Sequence, residues 1–180
     1  RVTTTPSSGP SHTLSNARAI CAAPLPAPTT TVRPRGGSGR CAFRLLSGSA
    51  AATAAVSAFL GAATPAQFSR DDIALTVSNA GSPTDWTYRR MILHYANLCV
   101  VAGGVDLFVI GSELRGLEAI RGPGWMKAGT TDGGGHAVWD YPFVAGLTAL
   151  AADVRGVFDA AGLARDGAGL KNLIAYSADW

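Results

Sequence analysis

Val105-Asp106-Leu107-Phe108-Val109-Ile110-Gly111-Ser112-Glu113 is a short apolar run that ends abruptly in a carboxylate. Near-continuous apolar runs of this length mark parallel strands covered on both faces, where alternation is not required. The run therefore reads as a buried parallel strand, with Glu113 delivered to its C-terminal edge. In α/β barrels that edge is where the chemistry is placed. Glu113 and Glu118 are the only glutamates of the chain, so a glutamate at this position is not drawn from an acidic background. A structural reading stands beside the functional one: Glu113 capping the next segment, or pairing with Arg115 or Arg121.

Upstream of the strand, Tyr88, Ile92, Tyr95, Cys99 and Ala102 recur at helical spacing. They predict an amphipathic helix capped by Thr84 or Asp85 and ended by Gly103-Gly104. His94 lies within it without a partner motif and reads as packed or exposed rather than catalytic. Ala50–Leu60 predicts another helix, because Ala carries the lowest helical cost and Val56, Phe59 and Leu60 share one face; Gly61 is its stop. Between the two helices Ile73–Val77 alternates like a short strand, closed by Asn79, Gly81, Ser82 and Pro83.

Downstream, Arg115 to Trp139 is a Gly-rich excursion containing Gly122-Pro123-Gly124-Trp125 and Asp132-Gly133-Gly134-Gly135-His136. Excursions of this length in compact domains are usually functional or disordered. Its glycines lack the Lys-Ser/Thr and the helix that follow a phosphate-binding loop, so nucleotide binding is discounted. A third helix is expected from Pro142, with Phe143, Leu147, Leu150, Val154, Val157 and Ala161 on one face and Gly162 at its end. Leu173–Tyr176 then forms a second apolar run, followed by Ser177, Ala178, Asp179 and Trp180. Helix, strand, long loop, helix, strand implies a right-handed βαβ crossover and a parallel sheet, so Asp179 reaches the same edge as Glu113. Asp179 also fits the cap of a following helix.

The chain has 180 residues, 47% hydrophobic and 15% charged, which suits one domain of buried α/β elements. That is short of the about 250 residues of a whole (β/α)8 barrel. The net charge of +3 is spread along the chain without a clustered basic face, which argues against nucleic-acid binding. Cys21, Cys41 and Cys99 have no paired spacing, so neither a disulfide framework nor a metal site is expected, and Cys99 reads as a small core residue. No apolar stretch is long enough to predict a membrane span. Residues 1–49, rich in Ser, Thr, Pro, Gly and Ala, are read as low-complexity and irregular or disordered, apart from a short strand at Arg1–Thr5. Residues 50–180 are read as the folded domain. Starting at Arg1 and ending just after a strand, the sequence is expected to be an internal fragment.

Two carboxylates at one strand edge suit glycoside hydrolysis, in which one acid protonates the leaving oxygen while the other acts as nucleophile or activates water. Trp180, with Trp125, Trp139 and Tyr176, offers flat apolar faces for a sugar ring; the structural alternative is that these aromatics serve packing.

The segments Trp86-Thr87-Tyr88-Arg89-Arg90-Met91-Ile92-Leu93-His94-Tyr95-Ala96, Gly103-Gly104-Val105-Asp106, Ile110-Gly111-Ser112-Glu113-Leu114-Arg115-Gly116-Leu117 and Ala175-Tyr176-Ser177-Ala178-Asp179-Trp180 add a resemblance. Together they look like the TIM-barrel-like domain of the tail host specificity protein of gene transfer agents and related phages. The resemblance implies an α/β fold that is a partial (β/α)8 TIM barrel, truncated at both ends and similar to glycoside hydrolases. It implies Glu113 as the catalytic acid/base ending the fourth strand, with Asp179, Trp180, Tyr176 and Arg115 binding substrate. The nucleophile of such enzymes, a second glutamate on the seventh strand, would lie beyond Trp180, and Ser112 stands where they usually carry Asn. No cofactor or metal is needed. The implied partners are a cell-envelope glycan, polysaccharide or peptidoglycan, and other tail or baseplate proteins. The implied location is the tail of the particle, and the cytoplasm before assembly. The competing class is a non-catalytic structural or glycan-binding module.

Overall fold

The computed structural model describes residues 21–22, 47–114, 116–163 and 171–178. The strand expected at Arg1–Thr5 lies outside them, as does nearly all of the stretch read as irregular. From that stretch comes β1 (Cys21–Ala22), which pairs in parallel with the central strand, Cys21 opposite Phe108 and Ala22 opposite Val109. Nothing in its composition signals a strand; the pairing is supplied by its neighbour.

Helix α1 (Ala50–Leu60) has the predicted bounds. Ser49 caps it, its Oγ accepting from the Ala52 amide at 3.1 Å. Gly61 ends it at φ 78°, where a Cβ would stand 2.0 Å from Thr87 Oγ1, so both conformation and space require glycine.

Of the strand expected at Ile73–Val77, Ile73, Ala74 and Leu75 lie instead in a turn, and only Thr76 and Val77 are strand, as the start of a hairpin arm. β2 (Phe68–Asp71) and β3 (Thr76–Asn79) form an antiparallel hairpin, and Ile73, 97% exposed, sits at its tip. The cause is local: Asp71 Oδ1 accepts from the amides of Ile73 and Ala74, an Asx turn that overrides the apolar alternation.

Helix α2 (Tyr88–Val101) starts later than predicted, with Thr87 at the N-cap; Asp85 Oδ1 accepts from the Thr87 amide instead of capping the helix itself. Its buried face is Tyr88, Ile92, Leu93, Ala96, Asn97 and Cys99, so Cys99 is a core residue as expected, whereas Ala102 is exposed. Gly103 and Gly104 close it, their amides donating to Val100 O and Cys99 O.

The decisive run forms β4 (Leu107–Ser112), central in a three-stranded parallel sheet of order β1-β4-β7, where β7 is Leu173–Ser177. The Gly-rich excursion contains a hairpin, β5 (Met126–Thr131) and β6 (Ala137–Trp139). Helix α3 (Pro142–Ala160) then crosses back, as the βαβ reading requires. Phe158 is buried on α3 where Ala161 was expected.

The three described helices contribute to a single core with Phe108 and Ile110 of β4. Phe108 meets Phe158 edge-on at 5.8 Å, and each such fully buried side chain contributes about 1.5–3 kcal/mol. Leu107 and Val109, on the opposite face of β4, are half-buried, so only one face is sealed by helices. Among the described residues the strand is thus covered by helices on one side, not on both. The described residues contain a mixed α/β unit and no closed barrel.

At the N-terminal ends of the strands, Asn172 sets the register. Its amide donates to Val105 O at 2.7 Å and its Oδ1 accepts from the Val105 amide at 3.1 Å. Arg155 reaches across from α3, donating to Asn172 O and Leu163 O at 2.8 and 2.6 Å and to Asp159 Oδ1 at 2.9 Å.

Candidate functional site

Because β4 and β7 are parallel, their C-terminal ends lie side by side, Ser112 opposite Ser177. The ladder does not arrive there evenly. Val109 pairs with Ala175, yet Ser112 pairs with Ser177, so β4 spends one more residue than β7 over this interval: a bulge at Ile110-Gly111. Bulges re-aim the side chains that follow them, and Glu113 follows this one.

Two tyrosines hold the bulge. Tyr88, buried in α2, donates its hydroxyl to Ile110 O, and its ring stacks on Phe59 at 5.2 Å. From β7, Tyr176 accepts from the Leu114 amide at 3.3 Å and donates to Glu118 Oε1. Gly111 lies between them. A Cβ there would be 2.5 Å from the Tyr88 hydroxyl and 3.2 Å from the Tyr176 ring, so the close approach excludes any larger residue. Burial pushes the Tyr88 phenol up to about 12; burial and then the bond to Glu118 push Tyr176 to about 12. Both hydroxyls are therefore neutral donors over the whole physiological range.

Glu113 stands where the sequence placed it, immediately past Ser112 at the strand edge, exposed to solvent. Its amide donates to Ser177 O at 3.3 Å, and its φ is 53°, in the left-handed region that a residue with a Cβ seldom adopts. Strain of this kind clusters at functional positions. Leu114, buried, anchors the chain directly after it.

Tyr176, expected as an aromatic wall, is half-buried with its ring against the core and its hydroxyl committed to Glu118 and Leu114. Arg115, Asp179 and Trp180 lie outside the described residues. Glu118 is a member of the site that sequence reasoning did not assign; its being one of two glutamates in the chain was the available signal, but no spacing rule ties it to Tyr176. His94 is half-buried in α2 beside Tyr95, its pKa lowered by burial and then by Arg90.

The excursion after Glu113 carries further aromatics. Trp125 and Trp139 are 50% and 49% exposed. Arg121 lies with its guanidinium carbon 4.6 Å from the Trp139 ring and 3.7 Å from that of Tyr141. Ser47 and Gly48 brace this loop: Arg121 N donates to Ser47 Oγ at 3.0 Å and Gly48 N to Arg121 O at 2.9 Å. Beside β7, a groove of about 480 Å³ is lined by Ile110, Leu147, Ala151, Ile174 and Tyr176. Among the described residues no cluster of His, Cys, Asp or Glu is arranged to hold a metal ion, and no helix is long and apolar enough to cross a membrane.

Compared with known proteins, residues 86–180 match the family described as the GTA TIM-barrel-like domain. No curated protein and no solved structure matches the chain.

Proposed function

The chain belongs to the GTA TIM-barrel-like domain family, the match covering more than half its length, and from that premise we propose that it is part of a glycoside hydrolase-like (β/α)8 barrel of a gene transfer agent or phage tail protein, directed at cell-envelope polysaccharide or peptidoglycan. Glu113 is the acid/base of this reading. It protonates the glycosidic oxygen as the bond breaks and afterwards takes a proton from the incoming water. Asp179, Trp180 and Arg115 are its substrate-binding residues. The tail of the particle, in contact with other tail or baseplate proteins, is where such a module acts.

The observation that carries the reading is the position of Glu113: exposed, at the C-terminal edge of the central parallel strand, just past a bulge held by two tyrosine hydroxyls. Two features support the barrel. The half-buried face of β4 is the one that would turn inward on closure. The apolar groove between β7 and α3 is where a helix following β7 packs in such a fold.

Ser112, standing where such glycosidases usually carry Asn, favours a second reading, a barrel that binds glycan without cutting it. Reducing-end release from purified envelope glycan by the intact tail protein separates the two. Glu113→Gln abolishes release and leaves particle assembly intact if Glu113 is the acid/base. Unchanged release removes the catalytic role.

A further inference from the structure

Trp139 is a large aromatic left half-exposed on an otherwise well-tied hairpin. The base of that hairpin is closed by Trp125 N to Gly122 O at 3.1 Å, Asp140 N to Trp125 O at 2.9 Å and Gly122 N to Asp140 O at 3.1 Å. Across the ladder Met126, 37% exposed, pairs with Trp139 and extends its apolar surface. Arg121 packs on the indole and on Tyr141, and its buried Nη1 has no acceptor among the described residues. The guanidinium is thus held by ring faces, and it fixes the orientation of Trp139. A rigid, amphipathic aromatic of this kind offers contact area at little cost in conformational entropy.

We propose that the Trp139 face of the β5–β6 hairpin is a glycan contact in its own right, on which the C–H face of a pyranose ring stacks. The inference rests on the glycan-directed reading above and extends it to a named contact on the β5–β6 hairpin. The size of the patch selects the ligand: one indole and one methionine fall far short of the about 800 Å² that each partner of a stable protein interface buries. Its charge does not suit nucleic acid: Arg121 is committed to two rings, and Lys127 is the one Lys or Arg in the two strands of the hairpin. A sugar ring, apolar on one face and hydroxylated at its rim, matches a flat indole with a wet border.

The test is a titration of the full chain, ¹⁵N-labelled, with the tetramer of N-acetylglucosamine, reading the indole N–H signal of Trp139 assigned through Trp139→Phe. That signal shifts and saturates, and Trp139→Ala weakens the apparent Kd about tenfold, the loss of one stacking contact. Trp139→Leu, which keeps apolar bulk against Arg121, weakens it similarly, while Ile73→Ala, at the exposed tip of the β2–β3 hairpin, binds as the parent chain does. A Trp139 signal unmoved at saturating sugar, or Ala and Leu variants that bind unchanged, overturns the proposal. Failure of the hydrolase reading looks different: no reducing-end release, with Trp139 binding intact.

Discussion

Glu113→Gly is expected to stabilise the protein while removing its candidate acid/base. At φ 53° Glu113 occupies left-handed backbone, which costs an L-residue about 1–2 kcal/mol. Glycine removes that cost but returns about 0.4–1 kcal/mol as extra freedom of the unfolded chain. Because the Glu113 side chain is exposed, its deletion forfeits little burial. The net gain is about 0.5–1 kcal/mol, a rise in Tm of about 2 °C for a chain of this size. Glu113→Ala is the control: it loses the same carboxylate, keeps the Cβ and so keeps the strain. Urea unfolding of the full chain, comparing midpoints at equal slope, reads the difference. If Glu113→Gly is no more stable than Glu113→Ala, the backbone at this edge is not strained, and the inference from strain to function falls. If the gain appears, stability has been given up at the one exposed carboxylate that terminates the central strand, the trade expected where a position is kept for function.

The phenols of Tyr88 and Tyr176, raised from 10.0 to about 12, link stability to pH. A raised folded pKa means stability fully present below the unfolded value and lost as pH rises from 10 through 12, so the midpoint of unfolding is expected to fall across that window, and to fall less in Tyr176→Phe; ultraviolet titration of the phenolates checks it. At the opposite end of the sheet, Asn172→Ala leaves the buried Val105 amide without its side-chain acceptor and puts alanine at φ 54°, for a loss of about 2–3 kcal/mol in denaturant unfolding. Asn172→Gly, which relieves the backbone but not the lost acceptor, should recover part of that loss, and equal losses in the two variants would refute the division.

What the sequence made legible was whatever rests on period or on punctuation. The α1 bounds follow from an Ala-rich stretch between Ser49 and Gly61, and α3 from Pro142 and the spacing of Phe143, Leu147, Leu150, Val154 and Val157. The position of Glu113 followed from the end of an apolar run. The failures share a cause, namely bonds made by atoms that no periodicity reports. Asp71 turned an apparent strand into a hairpin tip through one carboxylate oxygen. β1 exists because β4 offers it an edge. Glu118 entered the site through a hydroxyl from a strand that lies far along the chain.

The bulge at Ile110-Gly111 shows why the site itself was only half legible. An apolar run read as an even strand predicts which residue comes last, but the direction of that residue depends on whether the ladder slips before its end. Here the slip is bought by three groups from three elements: the Tyr88 hydroxyl of α2, the absent side chain of Gly111 on β4, and the Tyr176 ring and hydroxyl of β7. None has a reason to be a tyrosine or a glycine on its own. Together they leave Glu113 in left-handed backbone with its neighbour Leu114 pinned into the core, so its backbone is held by the fold on both sides while its side chain remains open to solvent. A cap or a surface ion pair would not require such support. An acid/base that must meet a sugar oxygen at fixed geometry would, because a misplacement of about 1 Å at a reacting group costs on the order of 100-fold in rate.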